Sequence, residues 1–318
     1  GAASDYHVLA QMPYQNTIFL IYSIVGILIL VYAIEELNIL QKQKRLLTFS
    51  LVFSIPIFWG ALERGNMALY VVAFLLLAFV WKDSESKVKR EAALFLIAVS
   101  AGLKIYPAFM GLLYVKEKRY KEALRLVCYG IVLFFTPFIF FGGIQGVRMF
   151  LGVIRNLSIT TFLGRIQFFQ GLLTFIGIQG MEAVFLNYIF LFVLVFLMFF
   201  TKSKIREITY MSAIMTFFPA GAYRYTLAYF ILSVFALFRY QKSKSDYYIS
   251  SVFLGLLFSI PTIFGLCTNF QLSCGMDKTA TSVEYYIYSI AWSYLIYCII
   301  MEIVCYAQRK QNAKGGIA

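Results

Sequence analysis

Histidine is nearly missing from this sequence: His7 is the only one, which leaves no room for a His-based metal site. The five cysteines are too few and too scattered for a structural metal motif or a secreted disulfide scaffold. Charge is scarce as well, at 14% of residues, where a soluble chain carries about a quarter. What fills the 318 positions instead is apolar, with 61% hydrophobic residues, 19% aromatic residues and a mean hydropathy of +0.78. One or two soluble cores cannot hide that much Leu, Ile, Val and Phe. Soluble enzymes and disordered chains are excluded. The composition predicts an all-α, polytopic transmembrane helical bundle. No soluble domain, low-complexity run, long linker or internal repeat interrupts it, so residues 1–318 read as a single integral membrane domain.

The formal net charge of +13 resembles a nucleic-acid signal until the charges are located. Twenty-one of the 28 basic residues fall in six clusters between apolar stretches: 42–45, 82–90, 116–125, 202–206, 239–244 and 309–314. This is the pattern of cytoplasmic loops in a membrane protein, and no nucleic-acid partner is expected. If the clusters share one side, the apolar stretches must cross in matching numbers. Residues 16–38 run inward. Residues 47–81 leave and return with a polar break at 63–66, and 91–115 do the same around 104–107. Residues 126–142 go out, 185–200 come back, and 207–238 form another out-and-back pair turning at 219–225. Residues 248–266 go out and 285–305 return. That makes about eleven segments. The other seven basic residues, Arg64, Lys104, Arg148, Arg155, Arg165, Arg224 and Lys278, all fall on the outer side.

Several of these segments are shorter than the roughly 20 residues of a full span. Short helices ending below the outer surface would leave a water-filled recess, where irregular polar backbone is tolerated. An outer N-terminus needs something upstream that crossed first, either a removed signal peptide or another helix. The expectation is that a first transmembrane helix precedes Gly1.

Charges at the ends of apolar helices are costly and point to function. Glu63 and Arg64 sit at a turn where Gly65 permits a bend and Asn66 can cap the returning helix. They form either an interfacial ion pair or part of a polar cluster facing the recess. Lys104 stands alone in an apolar run before Tyr106 and Pro107, and either snorkels or binds an anion. Arg224, between Tyr223 and Tyr225, is either an aromatic-flanked anchor or a third cation of the same recess. Their common side favours the recess, which suits a lipid-borne phosphate.

Glu63-Arg64-Gly65-Asn66, an apolar helix, a basic link, and then Ala101-Gly102-Leu103-Lys104-Ile105-Tyr106-Pro107 before Leu112-Leu113-Tyr114 and a basic run resemble glycosyltransferase family 87. The Lys-Ile-Tyr-Pro element is also similar to one in the catalytic subunit of GPI mannosyltransferase I. The resemblance covers roughly residues 1–240 and is most specific over 60–125. It implies a GT-C fold and transfer of a mannose-like hexose from a polyprenyl-phosphate donor to a lipid or glycan acceptor, with inversion. It further implies that Arg64 and Lys104 hold the phosphate or donor, that Asn66 and Tyr106 shape the site, and that Glu63 orients them. Arg224 joins them through its place in the outer recess. A carboxylate in the first outer loop would be the base, either Asp5 or a residue upstream of Gly1. Glu182, Asp277 and Glu284 match no motif and read as loop charges.

No cofactor is expected, and a divalent metal stays open. The expected location is a bacterial plasma membrane with the active site on its outer face, among membrane lipids. Two other functions compete: a transporter or flippase of an anionic lipid-linked substrate, and a polysaccharide polymerase or ligase. Segment 143–184 reads as an outer loop with interfacial helices. Asn156-Leu157-Ser158 matches a glycosylation sequon, a common chance match. Cys267 and Cys274 share the last outer loop and can pair in an oxidising compartment.

Overall fold

The computed structural model describes residues 14–54, 57, 61, 66–159, 169–219, 224–240, 244–258 and 277–315. No strand occurs among the described residues. Helices α1 (Gln15–Glu35), α2 (Gln41–Val52), α3 (Ala68–Trp81) and α4 (Lys87–Leu103) come first. A 3₁₀ helix over Tyr106–Met110 runs straight into α5 (Gly111–Lys116). Next are α6 (Tyr120–Phe140), α7 (Gly143–Ile159), α8 (Phe169–Phe175) and α9 (Gly180–Phe200). After α10 (Lys204–Phe217), a second 3₁₀ helix over Arg224–Phe230 leads directly into α11 (Ile231–Arg239). The last two are α12 (Lys244–Phe258) and α13 (Asp277–Gly315).

The helix boundaries follow local chemistry. Ser86 and Ser203 cap α4 and α10, their hydroxyls accepting from the backbone N–H groups of Lys89 and Arg206. Gly142 and Gly143, at φ of 84° and 56°, make the sharp turn from α6 to α7 that a side chain would resist. Gly26 lets α1 approach α3 closely, since a Cβ there would lie 2.5 Å from Leu69 Cδ2.

Four stretches are long and apolar enough to cross a membrane: Asn16–Glu35, Tyr120–Phe140, Gly180–Phe200 and Ile287–Asn312. Ala68–Trp81, Tyr225–Arg239 and Tyr247–Phe258 are apolar but shorter. The short helices form the interior. α3, α10 and α11 are buried nearly all round, whereas α6 exposes most of its apolar surface. Because lipid tails are as apolar as Leu, hydrogen bonds hold these inner helices together. Tyr210 donates to the Cys298 carbonyl at 2.8 Å and Thr216 to that of Thr226 at 2.9 Å. The hydroxyls of Thr209 and Tyr294 are 3.1 Å apart.

One end of the bundle gathers the charges. Lys82, only 2% exposed, donates to both Glu117 oxygens at 2.7 and 2.9 Å. Arg119 and Arg239 each reach Asp83 at 2.9 Å. Lys116 meets Glu207 at 2.6 Å, and Arg206 meets Glu302 at 3.0 Å. Lys89 ties in the end of α1 through Glu36 at 2.5 Å. Segment 82–117 therefore starts and finishes at the same end, so α4 and the 3₁₀–α5 arm form a hairpin. The pairing of Lys204 with Glu117 and of Arg239 with Asp83 does the same for α10 and the 3₁₀–α11 arm.

The same cations satisfy carbonyls that helix C-termini leave open. Lys116 donates to the carbonyls of Met198 and Thr201 at 2.6 and 2.9 Å, closing α9. Arg239 donates to the Phe79 carbonyl at 2.7 Å, near the end of α3.

Burial acts to raise the Asp83 and Glu117 carboxyls, but the surrounding cations, Lys82 foremost, together outweigh it. Arg239 and Arg119 add to the effect at Asp83, and Lys204 at Glu117. Both groups stay below the ordinary carboxylate range. A carboxyl depressed by folding contributes stability above its unfolded pKa and loses it as pH falls through the folded value. Thermal unfolding in detergent should therefore show a flat Tm near neutrality that declines below about pH 4. Removing one partner of a buried ion pair costs about 3–5 kcal/mol, and Asp83 remains to Lys82, so Glu117→Gln should cost about 3 kcal/mol at pH 7. The variant should also lose less on acidification. An unshifted Tm in Glu117→Gln would contradict the latch.

Candidate functional site

The far end of the bundle carries the tip of the first hairpin, the start of the second 3₁₀ helix and the start of α3. α4 stops at Leu103, and Lys104 is extended, with φ −146° and ψ 124°. Pro107 then enters the 3₁₀ helix at its first turn, where no N–H is needed. This break leaves Lys104 half-buried at the hairpin tip. Its Nζ lies 4.5 Å from the centroid of the Tyr225 ring, on the second 3₁₀ helix. No carboxylate stands within ion-pairing distance of Lys104 among the described residues. Of the described acidic side chains, Glu182, in the first turn of α9, is the one at this end.

Two further phenols lie near the Tyr225 ring. The Tyr106 and Tyr229 hydroxyls lie within electrostatic reach of each other and of Tyr225. Tyr229 is fully buried, and its hydroxyl has no hydrogen-bond partner among the described residues. Beside them, Phe218 at the end of α10 packs edge-on against Phe109 and Tyr188, with centroids 6.1 and 5.8 Å away. Asn187, 6% exposed, donates from Nδ2 to the Phe218 carbonyl at 3.1 Å, while its Oδ1 has no partner among the described residues. Among the described residues, the site thus offers a cation without a carboxylate partner and polar atoms without hydrogen-bond partners, next to aromatic rings. That combination suits an oxygen-rich anion with an apolar attachment.

The residues singled out in the sequence divide as follows. Lys104 and Tyr106 come together with the segment that begins at Arg224. Asn66 stands at the same end, but its side chain serves its own helix: Oδ1 accepts from the Ala68 N–H at 3.0 Å. Asp5, Glu63 and Arg64 lie outside the described residues, as do the side chains of Arg155, Arg224, Asp277 and Glu284. Arg165, Cys267 and Cys274 lie outside them too. Within segment 143–184 the structure describes α7, whose Ile144, Met149 and Leu151 are exposed, and α8.

The family model for glycosyltransferase family 87 matches residues 6–222, which include Asn66, Lys104 and Tyr106. The chain belongs to glycosyltransferase family 87. Together with the four apolar spans, the family makes it a membrane glycosyltransferase. No curated protein and no solved structure matches it. Tyr225 and Tyr229 fall just past the matched segment. Sequence reasoning missed both, along with Asn187. The one available signal was the Tyr223-Arg224-Tyr225 triplet, which also describes an ordinary interfacial anchor.

Asn66 has a role that stability measurements can isolate. Losing a cap of this kind costs about 1 kcal/mol, and a carboxylate replaces the amide oxygen. Asn66→Ala should therefore lower the thermal midpoint in detergent, while Asn66→Asp should hold it. Equal midpoints for Asn66→Ala and wild type would remove the capping role.

Proposed function

We propose that this chain moves a hexose, mannose-like in class, from a polyprenyl-phosphate donor to a lipid or glycan acceptor. Transfer takes place with inversion at the bundle end opposite the ion-pair face, which we assign to the outer side of a bacterial plasma membrane. The observation that carries the reading is Lys104: a half-buried ammonium at a hairpin tip, set against the Tyr225 ring and with no counter-carboxylate among the described residues. An unneutralised cation in a partly dry site is costly to keep unless an anion arrives. A phosphate on an isoprenoid chain fits both the charge and the apolar setting.

The step balances simply. A carboxylate takes the proton of the acceptor hydroxyl, and the hydroxyl oxygen attacks the anomeric carbon. The bond from that carbon to the phosphate oxygen breaks, and its electron pair leaves with the phosphate. Lys104 stabilises the charge that develops there. Arg64 is proposed as a second phosphate ligand, with Arg224 nearby. Tyr106 and Asn66 shape the site and Glu63 orients it. Asp5, a carboxylate of the first outer loop, is proposed as the base. About eleven crossings, with the six basic clusters cytoplasmic, complete the proposed arrangement.

Membranes containing the full-length protein should consume one labelled polyprenyl-phosphate hexose and yield a glycosylated product of inverted anomeric configuration. Lys104→Met keeps the apolar stem and should reduce turnover about thirtyfold or more, as loss of a contact to developing charge does. Near-normal turnover in Lys104→Met would reject the phosphate assignment. Movement of the intact donor across the membrane without sugar transfer would favour a flippase instead.

A further inference from the structure

Lys104 and Tyr225 belong to different hairpins, far apart in sequence, yet the Lys104 ammonium sits 4.5 Å from the Tyr225 ring centroid. That is inside the range of about 6 Å in which a ring's negative face attracts a cation. Both side chains are half-buried, so water screens the contact only in part. We infer that Tyr225 is a positioning residue for Lys104, holding its ammonium in place for the donor phosphate. This deepens the function proposed above and rests on it.

The chemistry explains why a ring stands where a carboxylate would be the ordinary partner. A carboxylate would bind the ammonium more tightly, but it would repel the incoming phosphate and have to be displaced by it. A ring face carries no net charge. It orients Lys104 by contacting one side of the ammonium and leaves N–H donors on the other side for phosphate oxygens. The four-carbon stem of lysine is flexible, and fixing it in advance removes an ordering cost from binding. Among the described residues no carboxylate pairs with Lys104, so the ring is the one group seen to hold it. The effect should appear in donor binding. At saturation, the phosphate itself orders the lysine.

The test uses the full-length protein and the polyprenyl-phosphate sugar that wild type consumes. Tyr225→Leu should raise donor KM about two- to thirtyfold, the range of a partly desolvated cation–π contact, with kcat little changed. Tyr225→Phe should restore KM. In a Lys104→Met background, Tyr225→Leu should add almost nothing, because its effect passes through the lysine. Mono-, di- and trifluorinated phenylalanines at position 225 keep the ring's shape while draining its face, and KM should climb stepwise along that series. This series keeps the inference testable even if the leucine variant folds poorly. A flat KM across it, or a leucine penalty that adds in full to Lys104→Met, would overturn the role of Tyr225. Unchanged kinetics in Lys104→Met would instead defeat the phosphate reading itself.

Discussion

The bidentate contact of Lys82 with Glu117 fixes the geometry on which everything else in this bundle depends. It joins the two feet of one hairpin, and Asp83, Arg119, Arg239 and Lys204 extend it to the feet of the other. With the feet registered, the tips are registered too. Lys104 lies at one tip and Tyr225 at the other, 4.5 Å apart from ammonium to ring centroid. Ion pairs this buried are poor value as pure stabilisers, since desolvation cancels much of their attraction. Their use here is to define which helices are neighbours, in a setting where apolar surfaces cannot discriminate among partners.

The two ends of the molecule treat charge oppositely. At the foot, Lys116 and Arg239 satisfy both carboxylates and the open carbonyls of helix ends, so each cation has several acceptors. At the tip, among the described residues, Lys104 has an aromatic face and no carboxylate, and the Tyr229 hydroxyl and Asn187 Oδ1 are buried without partners. The carboxylate partners of the described cations are thus concentrated at the foot, while the cation at the tip rests on a ring.

Much of this was legible in the sequence, for physical reasons that also mark where legibility ended. The basic clusters could be assigned to one side because loop charge is a local property of the chain. Pro107 announced the break after Lys104, and Asn66 announced a cap, because both act within a few residues of themselves. The partners of the basic clusters were not legible. Glu117 and Glu207 look like stray acids beside basic clusters, and Glu302 like a stray acid in an apolar run, until the fold brings them beside Lys82, Lys116 and Arg206. Tyr225 was hidden in the same way, since nothing near it in the chain names a lysine on another hairpin as its neighbour.

The two 3₁₀ helices have a consequence for depth. A 3₁₀ helix climbs about 2.0 Å per residue against 1.5 Å for an α-helix. The returning arm of the first hairpin, residues 106–116, therefore rises about 19 Å from the ion-paired foot, rather than the 16 Å or so of an all-α arm. The outgoing arm, α4, climbs about 26 Å over its 17 residues, so against a hydrocarbon core about 30 Å thick, with the foot at one boundary, the two arms end about 5 and 11 Å short of the other. A phosphate reaching Lys104 would have to sit below the level of ordinary lipid headgroups. An isoprenoid anchor long enough to let its headgroup sink, and a bilayer thin or deformable at that point, would then matter to this protein as much as any contact within the site.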